Sequence, residues 1–309
     1  MGGTMTPFFS ETESPEGATP ITDYSGLKPK WVHTKQDLNR VEAENILEAQ
    51  RKLLRHTDNN PTNWFGIKEL RKIHQTMFGN VWDWAGIYRK SHTSIGIRPS
   101  LIPSQLAAFC IEVQSWSKYP VELTFIEMSA RIHHQLVFIH PFENGNGRFS
   151  RFVSDRFLLS WRCSHPNWPS NLNKTNSDRK KYIQALKNAD KGNYDLLIKL
   201  MKHLHAKDPT IADLLSSKFY RKFLDSTKLC SLIKALLRHG HDPNETCSKG
   251  HRPLHLAIQN NEFEIVHLLL NSGADLNMPD QTKLSPFQLA VLQKNKLIAD
   301  LLVSKGANN

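Results

Sequence analysis

From Thr34 onward, apolar residues recur at helical spacing. Leu38, Val41, Leu47, Leu53 and Leu54 fall roughly on one face of a helix that Thr34 can cap. The same period predicts helices over about 65–77, 103–117, 124–138, 147–162, 177–189 and 192–204, the last two parted at Lys191-Gly192. One stretch breaks the pattern. Gly86 to Pro99, reading GIYRKSHTSIGIRP, has β-branched residues, two glycines and a closing proline, and predicts a short exposed hairpin. Residues 1–33 are rich in Pro, Gly, Ser, Thr and acid, lack apolar periodicity and read as a flexible arm.

The last 85 or so residues carry an internal repeat. Gly240, Gly273 and Gly306 are spaced by 33, as are Pro253 and Pro286, and Ala257 and Ala290. Each unit reads Pro-Leu/Phe-x-Leu-Ala, then a helix ending Leu-Leu, then a glycine suited to the left-handed cap. Arg252-Pro253-Leu254-His255-Leu256-Ala257 resembles the ankyrin signature, and Ser285-Pro286-Phe287-Gln288-Leu289-Ala290 is a looser copy. The helix Leu229 to Arg238 lacks that start and reads as a degenerate N-terminal capping repeat.

Composition bounds the class without choosing a function. The 309 residues are 39% apolar and 22% charged, which excludes a wholly disordered chain and suits two domains. No apolar run is long enough to span a membrane and no signal-peptide pattern opens the chain, so a cytoplasmic protein is expected. Met1-Gly2-Gly3-Thr4-Met5-Thr6 fits a myristoylation pattern, a short one that arises by chance. The four cysteines, Cys110, Cys163, Cys230 and Cys247, are far apart and read as reduced thiols. A formal charge of +11 favours anionic partners, but the basic residues are scattered and no nucleic-acid-binding signature accompanies them, so no nucleic-acid partner is expected.

Chemistry concentrates in His140-Pro141-Phe142-Glu143-Asn144-Gly145-Asn146-Gly147-Arg148-Phe149-Ser150-Arg151. Pro141 must end the apolar helix before it, which places His140 at a helix exit. Downstream, Phe149, Phe152, Val153 and Phe157 keep a buried spacing while Arg148 and Arg151 share another face. Gly145-Asn146-Gly147 allows close backbone approach, and its amides head the next helix, an anion site beside two arginines. A nucleotide held by its phosphates, a protein hydroxyl as nucleophile and His140 as base would use this whole set. His133 and His134 lack zinc-ligand spacing and read as helix-packing residues.

This stretch resembles the Fic signature H-P-F-x-[D/E]-G-N-G-R-x-x-R at every fixed position except the acidic one. The resemblance runs through Ile132-His133-His134-Gln135-Leu136-Val137 and the Gly86–Gly96 segment, and the first domain is similar to the bacterial type called mobile mystery protein B. It implies an all-α Fic-type domain with a small β-hairpin flap, followed by a short ankyrin solenoid. The division expected is an arm at 1–33, the Fic domain at 34–205, a linker at 206–221 and repeats at 222–309. The implied activity is transfer of AMP from ATP to a Ser, Thr or Tyr hydroxyl of a target protein. His140 would be the base, Phe142 a core anchor, and Glu143, Asn144, Gly145, Asn146, Gly147, Arg148 and Arg151 the nucleotide-binding set. Lys90, Thr93 and Ile95 would lie on the flap that registers the target segment.

Asn144 stands where the family has the Asp or Glu that helps to hold Mg²⁺, so Mg²⁺ or Mn²⁺ use should be weakened. Glu143, one residue earlier, is the carboxylate available to compensate. The resemblance also implies an inhibitory glutamate in S/T-x-x-x-E-G/N. Thr12-Glu13-Ser14-Pro15-Glu16-Gly17 fits, naming Glu16, although Pro15 disfavours a helix there; Glu44 is the competing position, and a separate antitoxin is the other option. The repeats would recruit a target or partner protein. Two rival readings stay open: phosphocholine or another nucleotide-derived group as cargo, and a nucleotide-binding interaction protein with little turnover. Either a toxin or an effector delivered into a host cell fits such an architecture.

Overall fold

The computed structural model describes residues 23–54, 62–170, 172 and 176–308. They fall into two compact units, one comprising residues up to 115 together with 126–207, the other 116–125 together with 208–309.

The first unit is helical. Its elements are α1 (Lys35–Leu54), α2 (Ile67–Phe78), α3 (Ile102–Ser115), α4 (Phe125–Ile139), α5 (Asn146–Ser160), α6 (Ser177–Ala189) and α7 (Asp195–His203). Thr34 caps α1 as the sequence predicts, accepting from the Asp37 amide at 3.0 Å. The buried stripe of α1 is Leu38, Glu42, Asn45, Ala49 and Leu53, however, while Leu47 is 53% exposed. The apolar count misplaces this face because two polar residues lie at its centre. Asn45 is one of them: its Nδ2 donates to the Met77 carbonyl at 2.5 Å and ties α1 to the end of α2. Around α4 and α5, Ile73, Met77, Leu136, Phe142, Phe149, Val153 and Phe157 are fully buried or nearly so.

The expected hairpin at 86–99 does not form strands. The segment is an irregular loop with one isolated antiparallel bridge to the site, Tyr88 to Phe142. The Arg89 side chain occupies the place where cross-strand bonds would run, donating to Ser91 and Ile97 carbonyls from Nη1 and Nη2 at 2.8 and 2.5 Å.

The second unit contains α8 (Ile211–Ser216), α9 (Lys218–Phe223), α10 (Ser226–Arg238), α11 (Pro253–Gln259), α12 (Phe263–Asn271), α13 (Pro286–Leu292) and α14 (Lys296–Ser304). Gly240, Gly273 and Gly306 close α10, α12 and α14 at φ of 81°, 90° and 92°, the left-handed cap that the 33-residue spacing predicts. Asparagines stitch successive repeats: Asn244 Oδ1 accepts from the Asp275 amide at 2.8 Å, and 33 residues on, Asn277 Oδ1 accepts from the Asn308 amide at 2.9 Å.

Residues 206–221, read as a linker, are instead structured. Thr210 and Asp213 form a reciprocal capping box that starts α8, and Ile211, Ala212, Leu214 and Leu215 are buried. The helix α8 packs on α11, so it supplies the inner helix of the first repeat, displaced from the 33-residue register by the inserted α9. Residues 116–125 belong with this unit as well, with Phe125 stacked on Tyr220 at 6.0 Å and Glu122 pairing with Lys234 at 2.5 Å.

Candidate functional site

The site is the turn between α4 and α5. At the α4 exit His140 takes φ 51°, a left-handed conformation uncommon for a side chain of this size. Asn146 then braces the turn from inside: Phe142 N–H donates to its Oδ1 at 3.0 Å and its Nδ2 donates to the Phe142 carbonyl at 2.8 Å. Its side chain is thus spent on the loop, leaving its backbone amide for the anion-binding role. Gly145 sits at φ 78°, and a Cβ there would lie 2.5 Å from the Phe78 ring. No side chain caps α5 from that position, so the first-turn amides of Asn146, Gly147 and Arg148 face outward from a helix N-terminus.

A buried histidine from α2 supports the turn from below. The His74 ring stacks on Phe142 at 3.7 Å and accepts at Nδ1 from the Gly86 amide at 3.0 Å. Its Nε2 therefore carries the proton and donates to the Asn144 carbonyl at 3.1 Å. Burial holds its pKa down to about 3, with the Asn144 carbonyl acting against it and Arg148 adding to the depression.

From above, the 86–98 loop grips the same turn. Arg89 N–H donates to the Pro141 carbonyl at 3.0 Å, and Arg89 Nε donates to the His140 carbonyl at 2.6 Å. Glu143 is drawn into this contact, its carboxylate accepting from Lys90 N–H at 3.2 Å and Ser91 Oγ at 2.9 Å. The carboxylate that stood to replace the family's acid thus serves the loop. Lys90 is exposed while Thr93 and Ile95 are half-buried, with Thr93 Oγ1 donating to the Ile95 carbonyl at 2.5 Å.

His140 is itself largely buried. Its Nδ1 donates to the Val137 carbonyl at 3.3 Å, which leaves Nε2 as the basic nitrogen. Burial pushes its pKa down to about 4; the Val137 carbonyl opposes that shift and the Arg89 guanidinium reinforces it. The imidazole is therefore neutral at pH 7, the state a general base requires.

Arg148 and Arg151, three residues apart near the start of α5, meet different partners. Arg148 Nη1 donates to Glu42 Oε2 at 2.6 Å and its guanidinium lies 4.9 Å over Phe78. Glu42, 3% exposed, also accepts from Trp82 Nε1 at 2.7 Å. Arg151 lies 6.0 Å over the Tyr182 ring. One turn on, Asp155 accepts from Trp168 Nε1 at 3.0 Å, and burial raises its pKa to about 7.

Glu16 lies outside the described residues. Glu44 is exposed on α1, and among the described residues Glu42, two positions earlier, reaches a motif arginine. Asn144 does not complete a metal site: its Oδ1 accepts from the Gly145 amide at 2.6 Å, and the neighbouring Glu143 carboxylate is held by the loop above. Mg²⁺ would have to compete with these hydrogen bonds for the Asn144 and Glu143 oxygens. His133 and His134 are packing residues, the first bonded to the Tyr182 hydroxyl at 2.9 Å and the second to Asp190 at 2.9 Å.

Glu42, His74 and Arg89 escape the motif because they come from other parts of the chain. A signal exists for two of them: Glu42 falls four residues after Leu38, and His74 falls between Leu70, Ile73 and Met77, all core positions. A charged or polar residue in the phase of a buried face needs a buried partner.

Known proteins resemble both units. Residues 64–158 match the Fic/DOC family and residues 225–309 match ankyrin repeats in three copies. A protein adenylyltransferase Fic of Aedes aegypti is 30% identical over 149 residues, 47% of this chain and 29% of the relative. Its namesake in Drosophila willistoni is 32% identical over 129 residues, 41% of this chain and 25% of the relative. The chain thus spans under a third of the length of these curated relatives. Among solved structures, Fic-1 of C. elegans aligns with a TM-score of 0.45 at 19% identity, covering 58% of this chain and 51% of that one. Residue matches over the two units agree with the geometry above: the chain carries a Fic/DOC domain over 64–158, followed by ankyrin repeats over 225–309.

Proposed function

We propose that the first unit transfers AMP from ATP to a Ser, Thr or Tyr hydroxyl of a target protein, and that the repeats recruit a target or partner. The observation that carries this reading is a neutral imidazole beside a helix N-terminus that bears two arginines, within residues that match the Fic/DOC family. His140 Nε2 takes the hydroxyl proton as the hydroxyl oxygen attacks the α-phosphorus. The bond to the bridging oxygen breaks and pyrophosphate leaves. The α5 amides stabilise charge on the transferred phosphate, and Arg148 and Arg151 hold the β- and γ-phosphates. The namesake activity of the insect relatives supports the same chemistry. A toxin or host-delivered effector role rests on the sequence resemblance alone.

ATP labelled at the α-phosphate tests the reading. Covalent label on the protein itself or on added protein, lost by a factor of about 10² or more in His140→Ala, is expected. Label that survives this substitution, or that follows the γ-phosphate, overturns it. Parallel incubations with GTP, UTP and CDP-choline identify the donor, and a series with Mg²⁺, Mn²⁺ and chelator measures the metal dependence that Asn144 should weaken.

A specific contact favours restrained turnover. Glu42 occupies Arg148, so phosphate must displace a buried carboxylate before that arginine can bind it. Glu42→Gln should tighten ATP binding about 10-fold, measured by calorimetry. Unchanged affinity would show that the ion pair does not compete with nucleotide.

A further inference from the structure

We infer that Arg89 is a positioning residue for the base, fixing the backbone of His140 from the facing loop so that the imidazole is aimed at the reacting hydroxyl. The inference rests on the adenylyl-transfer reading above.

Three contacts from the facing loop, two of them made by Arg89, converge on the left-handed His140 and the residue after it. The Arg89 guanidinium binds its carbonyl at 2.6 Å, the Arg89 amide binds the next carbonyl, Pro141, at 3.0 Å, and Gly96 lies so close that a Cβ would stand 2.4 Å from His140 Cβ. A residue at φ 51° holds that conformation only when its surroundings over-determine it. Arg89 is suited to the task. It is 2% exposed, and its remaining donors reach the Ser91 and Ile97 carbonyls on either arm of the loop. One planar fork thus fastens three backbone oxygens: two that shape the loop and one that belongs to the base. No other side chain donates five N–H groups in a fixed plane, so lysine can retain the charge but not this geometry.

The same placement sets a positive charge beside the imidazole. Arg89 of the facing loop disfavours the imidazolium, while Glu143 of the turn itself is spent on Lys90 and Ser91. The nucleotide phosphates are handled by α5, which Arg89 does not touch in any bond described above. Loss of Arg89 should therefore lower the rate at saturating ATP and leave ATP binding in place.

Three proteins decide the matter: the full chain, Arg89→Gln and Arg89→Lys. Three measurements are made on each: self-labelling at varied ATP, calorimetric ATP affinity, and the pH titration of the His140 ring by NMR, assigned with His140→Ala. For Arg89→Gln, the saturating rate should fall about 100-fold, the ATP affinity should hold within about 2-fold, and the ring should titrate at higher pH than in the parent. For Arg89→Lys, the rate should fall by an intermediate factor of about 10 with the titration close to the parent's, because charge is kept and the fork is lost. A parent-like rate in Arg89→Gln overturns the inference, as does a loss of ATP affinity equal to the loss of rate, which would mark general collapse of the unit. If the parent chain labels nothing, the transfer reading fails; the ring titration still tests Arg89, and an unmoved midpoint in Arg89→Gln overturns its role.

Discussion

The two units solve the same problem, holding glycine-bearing turns in place, by opposite means. In the repeat unit the solution recurs: Gly240, Gly273 and Gly306 share one conformation, and Asn244 and Asn277 make the same bond to the next repeat. In the first unit nothing recurs. The His140–Gly147 turn is held by His74, Arg89 and Asn146, each used once and two of them brought from far along the chain. A periodic structure spreads its stability over equivalent contacts, whereas the site concentrates it where a single loss is felt.

Acid should separate the units most widely. His74, His133 and His140 have folded pKa values of about 3, 3 and 4 against an ordinary 6.5, all lowered chiefly by burial. Their stabilising contribution is whole above pH 6.5 and is lost as pH falls through that value toward 3, because the unfolded chain takes up protons first. Asp155, raised to about 7, works in the opposite sense down to its ordinary 3.8 and offsets part of the loss. Peptide-resolved hydrogen exchange between pH 7 and 4.5 should show α2, α4 and α5 opening before α12 and α14. Equal loss of protection in both sets would contradict the contrast.

Glycine substitution comes next. Gly145→Ala adds backbone strain and a Cβ 2.5 Å from Phe78, and should destabilise by about 3–4 kcal/mol. Gly273→Ala carries the strain alone, with nothing within 4 Å of the new methyl, and should cost about 1 kcal/mol. Urea midpoints, with exchange to locate the change, test the pair, and equal costs would show that the two turns are held alike.

Within the repeats, Ile258→Ala should cost about 2–4 kcal/mol at a fully buried position. Val291, 33 residues on and 54% exposed, should lose under about 1 kcal/mol as alanine. Smallest of all, Lys305→Ala removes an exposed bond to Asn271 and should shift stability by no more than about 0.5 kcal/mol. A larger effect would mean that the array is less additive than its repetition suggests.

Legibility in the sequence follows the same division. Most helices of the first unit and the motif turn were readable because each depends on neighbours within one or two helical turns, and the repeat was readable because its markers recur every 33 residues. Where the expectation failed, a side-chain contact had taken over, distant for Arg89 and Glu42 and local for Thr210. Arg89 replaces the cross-strand bonds of the anticipated hairpin, the Thr210–Asp213 box and four buried apolar residues turn an expected linker into a helix, and Glu42 sits where apolar periodicity alone would place a core residue. Long-range pairings of this kind leave only a faint mark on one sequence, a polar residue in an apolar phase.

The chain's route between the units has a practical consequence. It enters the repeat unit at 116, leaves at 125 and returns for good at 208. Cutting once, after 207, would not yield two intact pieces: Tyr220 would lose the ring of Phe125, and Lys234 and Arg238 would lose Glu122. A repeat fragment made for partner capture should therefore carry residues 116–125 fused back by a short linker, and its melting temperature beside that of plain 208–309 would measure what the ten-residue excursion contributes.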